Sequence, residues 1–180
     1  MTFKNSYFFL FTGLSGAGKT TLSAEVIRQL RSENYPFFLL DGDVLRSGVS
    51  KDLGFSEKDR SENLRRAGEI ANLALSQDFN CICAMLAPFA NDREVLRSSL
   101  STRYKEIYLK CSIEKCINRD PKGNYKKALA GAISNYTGVS SSYEAPVSPD
   151  LCVDTENLSL DECVDLVSRF IKTVINSGKF

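Results

Sequence analysis

A chain of 180 residues and 20.0 kDa is long enough to bury the core of one ordinary domain. With 43% hydrophobic and 25% charged residues it reads as a soluble globular protein. Its 23 basic and 22 acidic side chains nearly cancel, so no global field draws it to nucleic acid or to anionic lipid. No stretch approaches the roughly 20 apolar residues that span a bilayer.

In chain order, a continuous apolar run at 7–12 predicts a buried strand and leads straight into a glycine-rich loop. A helix follows over 19–31, with Leu22, Val26, Ile27 and Leu30 at helical spacing. A second strand is predicted at 36–40. The capping-box pattern that begins at Ser56 opens a helix running through Ile70 and Leu73. Strands at 80–85 and 106–111 flank a helix expected after Asn91. A last strand at 151–153 precedes a helix over 160–175. Between about 120 and 148 the rhythm breaks into a polar stretch rich in Lys, Gly, Ser and Pro, too long for a plain connection. It reads as a mobile lid over a site or as a disordered insert.

Strands alternating with helices imply right-handed crossovers and a parallel sheet covered on both faces. The expectation is an α/β, three-layer P-loop fold with about five parallel strands, forming a single domain over 1–180.

The chain has no histidine, so no Ser-His-Asp or Cys-His mechanism can be built and no Cys/His zinc site can form. Any general base is a carboxylate, Lys, Tyr or Cys. Of the six cysteines none forms a C-x-x-C pair, and four sit in apolar surroundings. They read as buried reduced thiols of a cytoplasmic protein.

The strongest motif is Gly13-Leu-Ser15-Gly16-Ala17-Gly18-Lys19-Thr20, which fits G-x-x-x-x-G-K-[ST] between a strand and a helix. Glycines let backbone N–H groups turn inward around phosphate oxygens, and the helix behind points its positive end at them. Lys19 reaches the β and γ phosphates of ATP, and the Thr20 hydroxyl can bind Mg²⁺. The bland alternative is a chance Gly/Ser turn, which the flanking elements disfavour. No guanine-reading Asn-Lys-x-Asp is present, and the length leaves no room for the accessory domains of an oligomeric ATPase, so a small kinase is favoured.

The second strand ends in Leu40-Asp41-Gly-Asp43, with Arg46 close behind. Carboxylates at the carboxyl edge of a parallel sheet lie where ligands bind; a plain Asp-Gly turn is the alternative. Two carboxylates flanking a glycine there, Asp41 and Asp43, could hold Mg²⁺ through water and accept a proton from an attacking hydroxyl.

These motifs, taken together, resemble the adenylylsulfate (APS) kinases over nearly the whole chain. The matching segments are Gly13 to Thr21, Leu40-Asp-Gly-Asp43 with Arg46, Asp52-Leu-Gly-Phe55-Ser56, and Asp59-Arg60-x-Glu-Asn63-x-Arg-Arg66. Pro88-Phe89, Arg119-Asp-Pro-Lys122-Gly-x-Tyr-Lys-Lys127, Tyr136-Thr-Gly138 and Tyr143-Glu-Ala-Pro146 complete the series. The resemblance implies transfer of the ATP γ-phosphate, with Mg²⁺, to the ribose 3′-hydroxyl of a nucleotide carrying a small anionic group on its 5′-phosphate. It implies Asp43 as the base, Asp41 and Thr20 at the metal, and residues 13–21 with Arg119 at ATP. Arg46, Arg60 and Asn63 would hold the charged end and the sugar. Phe55 and Tyr136 would sandwich the base, with Pro88, Phe89, Lys122 and Lys127 completing the substrate side. Arg119 and Lys122 would belong to the lid. Family members are often homodimers.

The sequence departs from that pattern at Val44, Ser47, Ser50, Ala87, Leu129, Ala132, Ser134 and Tyr136. Because the phosphate machinery is intact, the departures suit either neutral drift in an APS kinase or a related kinase acting on cytidine diphosphoramidate, an intermediate in capsule modification. A catalytically silent nucleotide-binding module and a sugar or metabolite kinase are the rivals. The intact Lys19 and acidic pair weigh against the first, the aromatic pair against the second.

Overall fold

The structure is a computed structural model that describes residues 6–177; residues 1–5 and 178–180 of the expected domain lie outside it. Five strands form one parallel sheet: β1 Phe8–Thr12, β2 Phe37–Asp41, β3 Asn80–Ala84, β4 Tyr104–Lys110 and β5 Leu151–Asp154, in the order β2-β3-β1-β4-β5. Among the described residues seven α-helices accompany them: α1 Lys19–Ser32, α2 Gly42–Ser47, α3 Glu57–Leu75, α4 Ala90–Leu100, α5 Ile113–Arg119, α6 Asn124–Leu129 and α7 Leu160–Ser177.

The apolar runs of the strands are continuous because both faces are covered. Phe9 and Phe11 of β1 pack with Val26 and Ile27 of α1 and Val167 and Ile171 of α7. Phe8 and Leu10 point the other way, into a cluster with Leu64 and Ala71 of α3 and Leu96 of α4. Five cysteines, rather than four, are buried, and only Cys152 is exposed. Cys81 and Cys83 belong to the α3/α4 side of the sheet, where their thiols act as small apolar groups.

Each of the five strands differs from the pattern-based expectation by one or two residues at an end. β4 begins at Tyr104, whose buried ring stacks on Phe8 with centroids 5.8 Å apart. β2 runs on to Asp41. Three helices were not expected: α2, α5 and α6 span six or seven residues each, too few turns for a hydrophobic period to show. Local capping makes them. The Asp41 side chain accepts from the N–H groups of Asp43 (2.9 Å) and Val44 (3.4 Å), and Ser112 Oγ accepts from Lys115 N at 3.3 Å.

The stretch 120–148 is neither a detached flap nor an unstructured insert. Asp120 caps α6 through the N–H groups of Tyr125 and Lys126, each at 3.1 Å. Tyr125 is 1% exposed and belongs to the sheet core. Residues 129–132 beyond α6 are exposed. Thr137 is buried again and bridges to Ser141. The lid is thus an exposed arc rooted at both ends.

A buried ion network fixes the loop after β3. Arg93 Nε lies 2.8 Å from Glu106 Oε1, with both side chains under a tenth exposed. The other Arg93 nitrogens donate to the carbonyls of Ala87 and Glu144, each at 2.8 Å. Arg97 Nη2 also reaches Glu106, at 2.9 Å. Removing one partner of a buried pair leaves the other charge uncompensated. The substitution Arg93→Met is therefore expected to lower unfolding stability by about 3 kcal/mol. The readout is a reduced urea midpoint with unchanged slope; an unchanged midpoint would remove the network's structural role. Among the described residues no helix is long and apolar enough to cross a membrane.

Candidate active site

The carboxyl ends of the strands face one cavity of about 1130 Å³, the place where open parallel sheets bind ligands. The loop between β1 and α1 forms its floor. Gly13 has φ 151°, and a Cβ there would lie 2.7 Å from the Leu109 carbonyl oxygen, so only glycine lets the loop leave the sheet this closely. Gly18, at φ 94°, turns the chain into α1. Ser15, Gly16, Ala17, Gly18, Lys19, Thr20 and Thr21 line the cavity, and the first N–H groups of α1 are free of intrahelical partners by construction.

Lys19 Nζ donates to the Gly13 and Leu14 carbonyls at 2.7 and 2.8 Å. Burial lowers its ammonium from the ordinary range to about 8, only partly offset by nearby groups that include Asp43 and Asp41. An arriving polyphosphate would supply the counter-charge that the loop carbonyls supply incompletely.

Thr20 Oγ1 donates to Asp41 Oδ2 at 2.8 Å, so α1 and the end of β2 present two hard oxygen donors side by side. That donor set fits Mg²⁺, which keeps most of its waters and takes one or two protein oxygens beside substrate phosphates. Asp41 also caps α2, leaving Asp43 two residues on with its carboxylate exposed and ion-paired to Lys122. The pair spans from the end of β2 to the stretch after α5.

On the far side, Phe55 is 56% exposed and carries two guanidinium groups. Arg46 lies 4.7 Å and Arg60 5.7 Å from its ring centroid. Arg60 donates to the carbonyls of Phe55 and Asn135, both at 3.1 Å. Arg46 donates to those of Leu53 and Gly54. Among the described residues neither forms a salt bridge. Burial lowers the pKa of both, and Arg46 lowers that of Arg60 further. Asn63 is 2% exposed with its side-chain oxygen unpartnered, and it lines the same wall. Tyr136 and Pro88 complete that side.

Of the sequence-predicted residues, Gly13, Phe89 and Lys127 do not line the cavity. Gly13 supports the loop from beneath. Phe89 is the half-buried residue preceding α4, and Lys127 lies on the exposed side of α6. Arg119 lines the cavity but is not carried on a flap. It ends α5 and donates to the Gly16 carbonyl at 3.2 Å and to that of Thr155. Next to it Thr155, Leu158, Leu160 and Cys163 form a lobe that sequence reasoning missed. Its only signal was position, at the end of the last strand. The departures divide: Val44, Ala87, Ser134 and Tyr136 line the cavity, whereas Ser47, Leu129 and Ala132 are exposed outside it and Ser50 is buried.

A strand, a glycine loop, a lysine and a hydroxyl on the following helix, with carboxylates from the neighbouring strand end, define a P-loop phosphotransferase. The model of the adenylylsulphate kinase family matches residues 5–154. An adenylyl-sulfate kinase of Staphylococcus epidermidis is 44% identical over 163 residues, covering 90% of this chain and 82% of that protein. A probable adenylyl-sulfate kinase of Halalkalibacterium halodurans is 44% identical over 170 residues, 94% of this chain and 84% of the relative. The APS kinase CysC of Mycobacterium tuberculosis, solved in complex with AMPPNP and APS, superposes with a TM-score of 0.88 at 35% identity, covering 93% of this chain and 98% of that one. The chain belongs to the adenylylsulphate kinase family. It is a phosphotransferase acting on a hydroxyl, with ATP and Mg²⁺ as its cofactors.

Proposed function

We propose that this enzyme transfers the γ-phosphate of ATP to the ribose 3′-hydroxyl of adenylyl sulfate in the cytoplasm. The observation that carries this reading is the pair Arg46 and Arg60, half-buried over Phe55 and without a carboxylate partner among the described residues. Two like charges held together this way call for an anion, and guanidinium forks match the oxygens of a phosphosulfate. Phe55 and Tyr136 offer flat surfaces for the base, which any base can use. The lobe at Thr155, Leu158 and Cys163, beside Arg119, suits the nucleoside end of ATP.

In this reading Asp43 accepts the proton of the 3′-hydroxyl, whose oxygen forms the new bond to the γ-phosphorus as the bond to the ADP oxygen breaks. Lys19 moves from its loop carbonyls to the phosphates and balances charge on the transferring group. Thr20 and Asp41 would hold Mg²⁺, which when bound would supply further neutralisation of the phosphate oxygens. Lys122 leaves Asp43 when the acceptor arrives, which frees the base only in the ternary complex.

A second reading rests on Ser134 and Tyr136, two residues that line the cavity where the family pattern has Lys and Phe. An acceptor of the same shape with a different base, such as cytidine diphosphoramidate, would meet those groups. Coupled-assay rates with Mg²⁺-ATP against both acceptors decide. Preferred turnover of adenylyl sulfate supports the first reading; preferred turnover of the cytidine compound replaces it with the second.

A further inference from the structure

Tyr125 does not line the cavity, yet it touches both halves of what does. Its hydroxyl donates to the carbonyl of Ser15, in the phosphate loop, at 3.0 Å. Its ring meets Tyr136, on the acceptor wall, edge-on, with centroids 5.0 Å apart and planes at 81°. The residue before Tyr136, Asn135, accepts from Arg60, the guanidinium that the proposed acceptor's anionic end would engage. Asp120 pins the Tyr125 N–H from the other side. A phenylalanine would fill the same core space; the hydroxyl is what reaches the loop.

We propose that Tyr125 is a positioning residue that ties occupancy of the acceptor half of the cavity to the shape of the phosphate loop. Only the assignment of the acceptor half rests on the function proposed above. An anion that draws Arg60 also draws Asn135 and Tyr136. Tyr136 shifts against the Tyr125 ring, and the Tyr125 hydroxyl carries the change to Ser15. Because such coupling is reciprocal, nucleotide in the loop also orders the acceptor wall. Burial pushes the Tyr125 phenol well above its ordinary range, so it remains a donor at working pH.

The test needs no acceptor, so it stands apart from the identity of the substrate. Binding of Mg²⁺-AMPPNP is measured by calorimetry for the wild type, Tyr125→Phe, Tyr136→Ala and the double variant. Loss of one loop hydrogen bond in Tyr125→Phe is expected to weaken AMPPNP about fivefold. Tyr136→Ala is expected to weaken it about threefold through the lost buttress. The double variant should be no weaker than the worse single one, because a relay broken at one link cannot be broken again. A direct effect of Tyr136 on the loop would instead add to that of Tyr125, and additivity overturns the proposal. So does unchanged AMPPNP affinity in Tyr125→Phe alongside a lowered urea midpoint, the signature of a packing role.

Discussion

Lys19→Ala lowers kcat by about 10³-fold and weakens ATP binding as well, because the lysine meets the phosphates both before and during transfer. Its ammonium is held by two loop carbonyls, Gly13 and Leu14. It sits where burial already makes the charge costly. A group so placed gains most when phosphate charge arrives, and gains more as charge shifts toward the β–γ bridge. Alanine removes that gain without touching the core: the loop's own turn depends on glycines and on Ala17 N donating to Leu14 O at 3.1 Å. Steady-state kinetics together with AMPPNP titration checks the result. Near-normal turnover would mean that the phosphates lie elsewhere in the cavity.

Asp43→Asn is expected to separate chemistry from binding. The kcat falls about 10²–10⁴-fold, the range for losing a positioned proton acceptor, while AMPPNP affinity stays within about twofold. The structural reason is the division of labour at the end of β2. Asp41 is engaged with Thr20 and with the first turn of α2, so its hydrogen bonds are architectural and its proposed part is at the metal. Asp43 faces outward and meets only Lys122 among the ion pairs of the described residues. Asparagine keeps the size and the turn but cannot take a proton, and it frees Lys122. If the variant retains wild-type kcat, another group removes the hydroxyl proton. A matched loss of AMPPNP affinity would place Asp43 at ATP rather than at the acceptor.

The two substitutions also separate the halves of the cavity. Lys19 moves both ATP affinity and rate, Asp43 the rate alone. That contrast cannot come from general destabilisation, which would move both constants in both variants.

Much of this enzyme was legible in its sequence because the informative features are local. The phosphate loop from Gly13 to Thr21 is one contiguous segment whose φ requirements only glycine meets. The five strands declare themselves by continuous apolar runs, since helices cover both faces. Asp41 and Asp43 could be placed at the cavity because the end of a strand is a position in the sequence. The short helices were not legible: six or seven residues carry no period, and α2 exists because the Asp41 side chain accepts from the N–H groups of Asp43 and Val44.

What only the tertiary structure decided are contacts between segments that no pattern links. The order β2-β3-β1-β4-β5 places β5 beyond β4, two strands from β1, and its end adds Thr155, Leu158 and Cys163 to the cavity. Arg119 belongs to that junction rather than to a flap, because its guanidinium spans Gly16 and Thr155, far apart in the chain. The stretch 120–148 looks like loop in sequence because most of it is polar. Packing roots it, through Tyr125 beneath the phosphate loop and Thr137 beside it. Composition and spacing record what a segment does with its immediate neighbours; burial of one tyrosine against a distant carbonyl is settled only when the sheet closes the distance.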